Sequence, residues 1–189
     1  TGKMFACDHE KVTPDLMALS KGLSGGYLPL AATLATGKIY DAFLGDISEQ
    51  KAFFHGHTFT ANPLSCAAAL ASLKAMERDK VLEKMNPKVH WFGNALQEFY
   101  KIRQVGDIRM IGMAAGIELV QDGATKEPFA PEIRMGHRVV EEARARGAII
   151  RPLGDVVVLM PPLAISMNDF KRLVRIVQES IVVAVSSVN

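Results

Sequence analysis

Asp15-Leu16-Met17-Ala18-Leu19-Ser20-Lys21-Gly22-Leu23-Ser24-Gly25-Gly26 is the stretch on which the reading of this chain turns. Asp15 to Ser20 is a short, mostly apolar run bounded by Pro14 and a glycine cluster, the pattern of a short buried strand. The cluster that follows admits no regular element. Lysine ordinarily sits on a solvated surface, so one that ends a buried strand and opens a glycine-rich turn is out of its usual place. Partial desolvation would disfavour its ammonium form and leave the amine able to attack a carbonyl and form a Schiff base. The glycines behind it remove side chains and let a flat ligand approach the backbone.

Working outward, Leu30-Ala31-Ala32-Thr33-Leu34-Ala35 reads as a second apolar strand, and Gly37 to Leu44 as a short helix. Asn62 is a good helix N-cap, and Pro63 stands where a first-turn proline is tolerated. Behind them Leu64, Ala67, Ala68, Ala71 and Ala75 form a small-residue face, and helical character persists to about Tyr100 with a break expected near Asn86-Pro87. This region reads as a connector between two domains, residues 1–100 and 101–189. In the second, 108–120 suggests a strand pair or a kinked strand, and Glu132 to Arg146 a helix stopped by Gly147. Ala148-Ile149-Ile150 and Val156 to Met160 read as short strands, and Ser166 as the cap of a final amphipathic helix. Interleaved strands and helices imply an α/β or α+β unit.

Composition removes several function classes. The 189 residues carry 22 Lys+Arg against 20 Asp+Glu, a net charge of +2, which gives no support for a nucleic-acid or membrane-surface protein. With 49% hydrophobic and 22% charged residues the chain is globular rather than disordered. Two cysteines, Cys7 and Cys66, are too few for a disulfide scaffold and suit a reducing cytoplasm. No apolar run approaches the roughly 20 residues of a membrane helix.

Three further constellations bear on chemistry. Gly22-Leu23-Ser24-Gly25-Gly26 fits the G-x-S-x-G elbow of serine hydrolases and follows a strand, but Gly25 to Pro29 is a poor helix start. Its acid and base would have to be Asp107 or Asp122 with His137. In Phe54-His55-Gly56-His57-Thr58-Phe59, no carboxylate or cysteine completes a metal set with the two histidines. A Gly-Xaa-Thr turn ahead of a helix N-terminus is the better reading, since backbone N–H groups and the Thr58 hydroxyl can hold a phosphate there. Arg151, before Pro152-Leu153-Gly154, is either a surface partner of Asp155 or a guanidinium fork for a substrate carboxylate.

Together these pieces resemble the class III, pyridoxal-phosphate-dependent aminotransferases. The resemblance rests on Thr1-Gly2-Lys3-Met4-Phe5-Ala6, the stretch from Asp15 to Gly22, Gly25 to Thr33, His55 to Phe59 and Asn62-Pro63-Leu64. It implies fold type I of that cofactor's enzymes, an α/β architecture comprising the C-terminal part of the large domain and the small domain. It also implies that Lys21 forms the Schiff base with pyridoxal phosphate and then shuttles a proton between substrate and cofactor. Thr58, with the backbone around His57, would bind the cofactor phosphate of the neighbouring subunit in a homodimer. Gly56 would line the substrate site and Arg151 would hold the substrate carboxylate. Arg151-Pro152-Leu153-Gly154 with Leu159 to Leu163 narrows the resemblance to the branch that moves an amino group from S-adenosylmethionine to 8-amino-7-oxononanoate.

The family also uses an acidic partner for the cofactor's ring nitrogen, a glycine loop and aromatic residues, all upstream of Thr1. Asp15 is no substitute, lying about 20 Å of extended chain from Lys21. These 189 residues are therefore expected to be the C-terminal half of an enzyme and not competent alone. A broader ω-amino-acid:pyruvate transaminase and a non-catalytic fragment are the other readings.

Overall fold

A computed structural model describes residues 1–188. The chain forms two compact units, one of Phe5–Lys80 and one of Thr1–Met4 together with the residues from Val81 onward.

The first unit contains strands β1 (Leu16–Leu19) and β2 (Ala32–Ala35), which pair antiparallel with Leu16 opposite Ala35. Helix α1 (Gly37–Asp41) follows, shorter than expected, then a long irregular run to α2 (Pro63–Arg78). The Asn62 side chain caps α2 by accepting from the N–H groups of Leu64 and Ser65 at 3.0 and 3.1 Å, as the sequence implied. Only Ser24, Ser65 and Ala69 are buried here, and large side chains such as Tyr27, Ile47, Phe54 and Phe59 are exposed.

Helix α3 (Val81–Gln97) opens the second unit. The helical region breaks at Asp79-Lys80, where Lys80 takes a φ of +50°, rather than at Asn86-Pro87. Pro87 lies inside α3. Its missing N–H leaves the Glu83 carbonyl without the i−4 donor, but both residues are on the exposed side, where water can serve that oxygen. On the opposite side Met85, Phe92 and Leu96 are fully buried, so packing outweighs the local proline signal. For the same reason α3, which the sequence reading grouped with residues 1–100, shares its core with the later elements.

That core is closed by a four-stranded antiparallel sheet in the order β3-β4-β6-β5. β3 (Val105–Ile111) and β4 (Ala114–Leu119) form the expected strand pair, joined at Gly112-Met113. Gly112, at φ +57°, meets the demand of a two-residue hairpin turn for positive φ. Helix α4 (Met135–Ala145) starts later than predicted, because Pro131–Ile133 forms a 3-10 turn and Arg134 adopts a φ of +50°. Ala148-Ile149-Ile150 is not a strand: the Ala148 N–H is spent on the Ala143 carbonyl, ending α4, and the strand is β5 (Arg151–Leu153). β6 (Val156–Leu159) and α5 (Met167–Ser186), capped by Ser166, complete the unit. Phe170 of α5 is fully buried between Trp91 and Phe92, with ring centroids 5.1 and 4.9 Å away.

Two charge clusters pin the sheet at its surface. Arg109 binds Asp107 on its own strand and Glu118 across the hairpin at 2.7 and 2.6 Å; the bonds to Glu118 and then Asp107 raise its guanidinium pKa. Arg103 bonds Asp122, and that hydrogen bond, followed by the one from the Ala124 N–H, holds the Asp122 carboxyl below the usual carboxylate range.

Candidate active site

Lys21 stands two residues beyond β1, at the head of a 3-10 turn, Lys21–Ser24. Ser20 is still extended, whereas Lys21 has a φ of +44°, in the left-handed region that a lysine rarely adopts. The turn is held by the Leu23 N–H donating to Ser20 O at 3.0 Å and the Gly25 N–H to Gly22 O at 3.1 Å. Gly25 and Gly26 continue at φ +63° and +81°. The turn rests on α2: a Cβ at Gly25 would lie 3.4 Å from Ser72 Oγ. Lys21 is exposed, and its amine makes no hydrogen bond or ion pair among the described residues. The expected partial desolvation is thus not found in this unit, since β1 and β2 form a two-stranded ribbon with Leu16 and Leu34 both about half exposed (58% and 50%).

The hydrolase elbow is overturned locally. Ser24 is 3% exposed, and its hydroxyl donates to the Leu28 carbonyl, so the oxygen is neither presented nor free. No helix follows it, and Asp107 and Asp122 are committed to Arg109 and Arg103.

Gly56, His57 and Thr58 lie in an exposed turn just before α2. The His57 N–H donates to Thr60 Oγ1 at 3.0 Å, and the Thr60 N–H returns to His57 O at 2.9 Å. Asn62 already occupies the first N–H groups of α2, which leaves the Thr58 hydroxyl and the turn's own backbone as the donors for an anion. The Thr58 hydroxyl has no partner among the described residues. His55 stacks on Phe53 at 5.3 Å beside this turn.

Arg151, in the other unit, opens edge strand β5 opposite Val158. The alternative of a surface pair with Asp155 is not realised: Asp155 Oδ1 accepts from the Gly136 N–H at 2.9 Å, and Arg151 has no ion pair among the described residues. The turn after Arg151 is braced from below by α4, where a Cβ at Gly136 would be 2.2 Å from the Gly154 carbonyl oxygen. Sequence reasoning overlooked Gly136; a glycine in the first turn of a helix otherwise rich in long side chains was the available signal.

An unpaired primary amine fits a reactive carbonyl, a threonine turn fits a phosphate, and a guanidinium without a partner fits a carboxylate. These donor sets match pyridoxal phosphate and a carboxylate-bearing substrate.

Comparison with known proteins places the chain in a family. The sequence pattern of the family described as aminotransferase class-III matches residues 1–181. The adenosylmethionine-8-amino-7-oxononanoate aminotransferase of Geobacter sulfurreducens is 55% identical over 181 residues, 96% of this chain and 40% of that protein. The enzyme of the same name from Nitratidesulfovibrio vulgaris is 52% identical over 96% of this chain and 34% of its own length. The chain therefore spans well under half the length of these curated relatives. The crystal structure of the Methanocaldococcus jannaschii enzyme of that name superposes with a TM-score of 0.88 at 45% identity, covering 96% of this chain and 42% of that one. A PMP-bound aminotransferase from Vibrio fluvialis superposes at 0.91 with 26% identity, over 100% of this chain and 42% of its own. The expected α/β transaminase fold is thereby borne out, as a partial segment of that fold.

Proposed function

This chain belongs to the class III aminotransferases, and from that premise we propose that it contributes the lysine, threonine and arginine of a pyridoxal-phosphate-dependent amino-group transfer. The observation that carries the reading is the Lys21 amine, without a partner among the described residues and held at a left-handed backbone position just past the end of β1. When bound, pyridoxal phosphate supplies the electron sink that allows an amino group to leave one carbon skeleton and join another. Lys21 would hold the cofactor through its Nζ, and the same Nζ, when free, would carry a proton between the substrate carbon and the cofactor's aldehyde carbon. The Thr58 hydroxyl and the backbone around His57, whose own N–H donates to Thr60 Oγ1, bind the phosphate, serving the adjacent subunit of a homodimer. Gly56 leaves room for the substrate, and the Arg151 guanidinium donates to its carboxylate.

S-adenosylmethionine as donor and 8-amino-7-oxononanoate as acceptor, giving 7,8-diaminononanoate for biotin, is the substrate pair that the names of the relatives at 45–55% identity support. An ω-amino-acid:pyruvate transaminase has weaker support, from structures at 26% identity. We place the enzyme in the cytoplasm, in keeping with the free thiols of Cys7 and Cys66; no helix of the described residues is long and apolar enough to cross a membrane.

The test is to incubate the full-length protein with pyridoxal phosphate, reduce with borohydride and map the modified peptide. Loss of water joins the amine nitrogen to the cofactor's aldehyde carbon, and hydride reduction fixes that linkage as a secondary amine. The label is expected on Lys21; a Lys21→Ala variant labelled to the same extent would sink the assignment. Turnover of 8-amino-7-oxononanoate against pyruvate as acceptor then separates the two substrate readings.

A further inference from the structure

Ser24, the serine of the G-x-S-x-G pattern, is one of three buried residues in the first unit, and its hydroxyl has a single use. It donates to the carbonyl of Leu28, the residue before Pro29. A second hydroxyl, that of Ser20, donates to the carbonyl of Leu30, the residue after Pro29, at 3.3 Å. Both ends of the Lys21–Ser24 turn are therefore tied to the same returning segment, Leu28-Pro29-Leu30. Pro29 has no N–H to donate, and the segment is held instead through the carbonyls on either side of it, which accept from the two serine hydroxyls.

Between these ties stands Lys21 at φ +44°. A lysine gains nothing locally from that conformation and holds it only where its surroundings impose it. At its N-terminal side the chain is fixed by β1 pairing with β2, Leu19 opposite Ala32. At its C-terminal side Gly25 and Gly26 are conformationally permissive, so without a tie the strain could relax in that direction. Ser24 supplies the tie, pressed against α2 where water does not compete for the bond.

We propose that Ser24 is a positioning residue for Lys21: its hydrogen bond to the Leu28 carbonyl locks the turn in the left-handed conformation that aims the lysine amine at its carbonyl partner. The proposal rests on Lys21 being the cofactor lysine. It assigns Ser24 no contact with substrate or cofactor.

The experiment measures the rate at which full-length protein captures pyridoxal phosphate at Lys21, by borohydride quenching at timed intervals and peptide mass mapping. Thermal unfolding of each variant identifies a temperature at which all are folded. Ser24→Ala is expected to capture about tenfold more slowly there, the ratio that corresponds to losing one buried hydrogen bond. Ser24→Thr, which keeps the hydroxyl, is expected to capture near the wild-type rate. A purely structural role would lower the unfolding temperature of Ser24→Ala and leave the capture rate of its folded form unchanged, and that result overturns the proposal. Equal slowing in Ser24→Thr and Ser24→Ala overturns it too, because the hydroxyl would then not be the operative group. Should Ser24→Ala not fold, Ser24→Cys, which keeps the shape but offers only a weak donor, takes its place: slower capture supports the lock, and an unchanged rate refutes it. A wild-type protein that captures no cofactor, or a Lys21→Ala variant that captures it equally, brings down the lysine assignment instead, an outcome visible before any serine variant is read.

Discussion

Gly136→Ala tests how α4 supports the turn that carries Arg151. A Cβ at this position would lie 2.2 Å from the Gly154 carbonyl oxygen, 3.0 Å from Pro152 Cβ and 3.2 Å from Asp155 Cα. Ordinary contact begins near 3.4 Å, so helix and turn must separate by more than an ångström. The obstructing atoms are largely backbone and have no rotamer to escape into. Overpacking of this kind costs about 1–3 kcal/mol. The same separation stretches the 2.9 Å bond from the Gly136 N–H to Asp155 Oδ1, a bond to a charged acceptor worth about 1.5–3 kcal/mol. Against these stands a gain in helix propensity of at most about 1 kcal/mol, less in a first turn. The clash and the lost bond win, and the net loss is about 2–4 kcal/mol. Trp91 is the single tryptophan and packs on Phe170 in the same unit, so its fluorescence follows the unfolding of the unit that holds Gly136. With a urea slope of about 2 kcal/mol per molar, the midpoint should fall by about 1–2 M. A Gly136→Ala protein with the wild-type midpoint would refute the close approach and, with it, the account of how the turn beyond Arg151 is held.

Other outcomes follow from single features. Pro87→Ala should raise the urea midpoint, by about 1–2 kcal/mol in stability, because it restores an interior helix hydrogen bond at an exposed position and forfeits only a smaller unfolded-state effect; a lowered midpoint would contradict the placement of Pro87 within α3. Asp122 has a folded-state pKa below its ordinary value, so its contribution is present above about pH 4 and fades as pH falls through the depressed value. Midpoints of wild type and Asp122→Asn should accordingly converge on acidification below pH 4, and a gap that stays constant would count against the Arg103 bond as its cause. In the full-length enzyme, Arg151→Ala should raise KM for the carboxylate-bearing acceptor about tenfold to a hundredfold with kcat less affected, the scale of one charge-assisted contact; an unchanged KM would remove the guanidinium from the substrate site.

Local signals account for the elements that were read correctly. Asn62 and Ser166 each carry a side-chain oxygen that accepts from the next turn, so the starts of α2 and α5 were visible in single residues. Gly147 likewise ends α4 in the left-handed conformation expected of it. The failures come from competing contacts, one tertiary and one from the neighbouring helix end. Pro87 marks a break in isolation, yet the buried row of Met85, Phe92 and Leu96 carries the helix through it. Ile149 and Ile150 have strand-forming side chains, yet their backbone lies where α4 is being terminated.

The candidate site divides along the same line. Residue types and spacing make Lys21, Thr58 and Arg151 candidates, and the resemblance adds Gly56 and His57, because a carbonyl, a phosphate and a carboxylate each require particular atoms, and those are written in side-chain chemistry. Whether an atom is available is another matter. Ser24 carries the right oxygen for a nucleophile, but folding buries it and commits its proton to Leu28. Asp155 has the right charge to neutralise Arg151, but the Gly136 N–H claims it. Chemistry is local to a side chain and can be read along the chain; burial and the choice of partner depend on residues brought together only when the backbone folds.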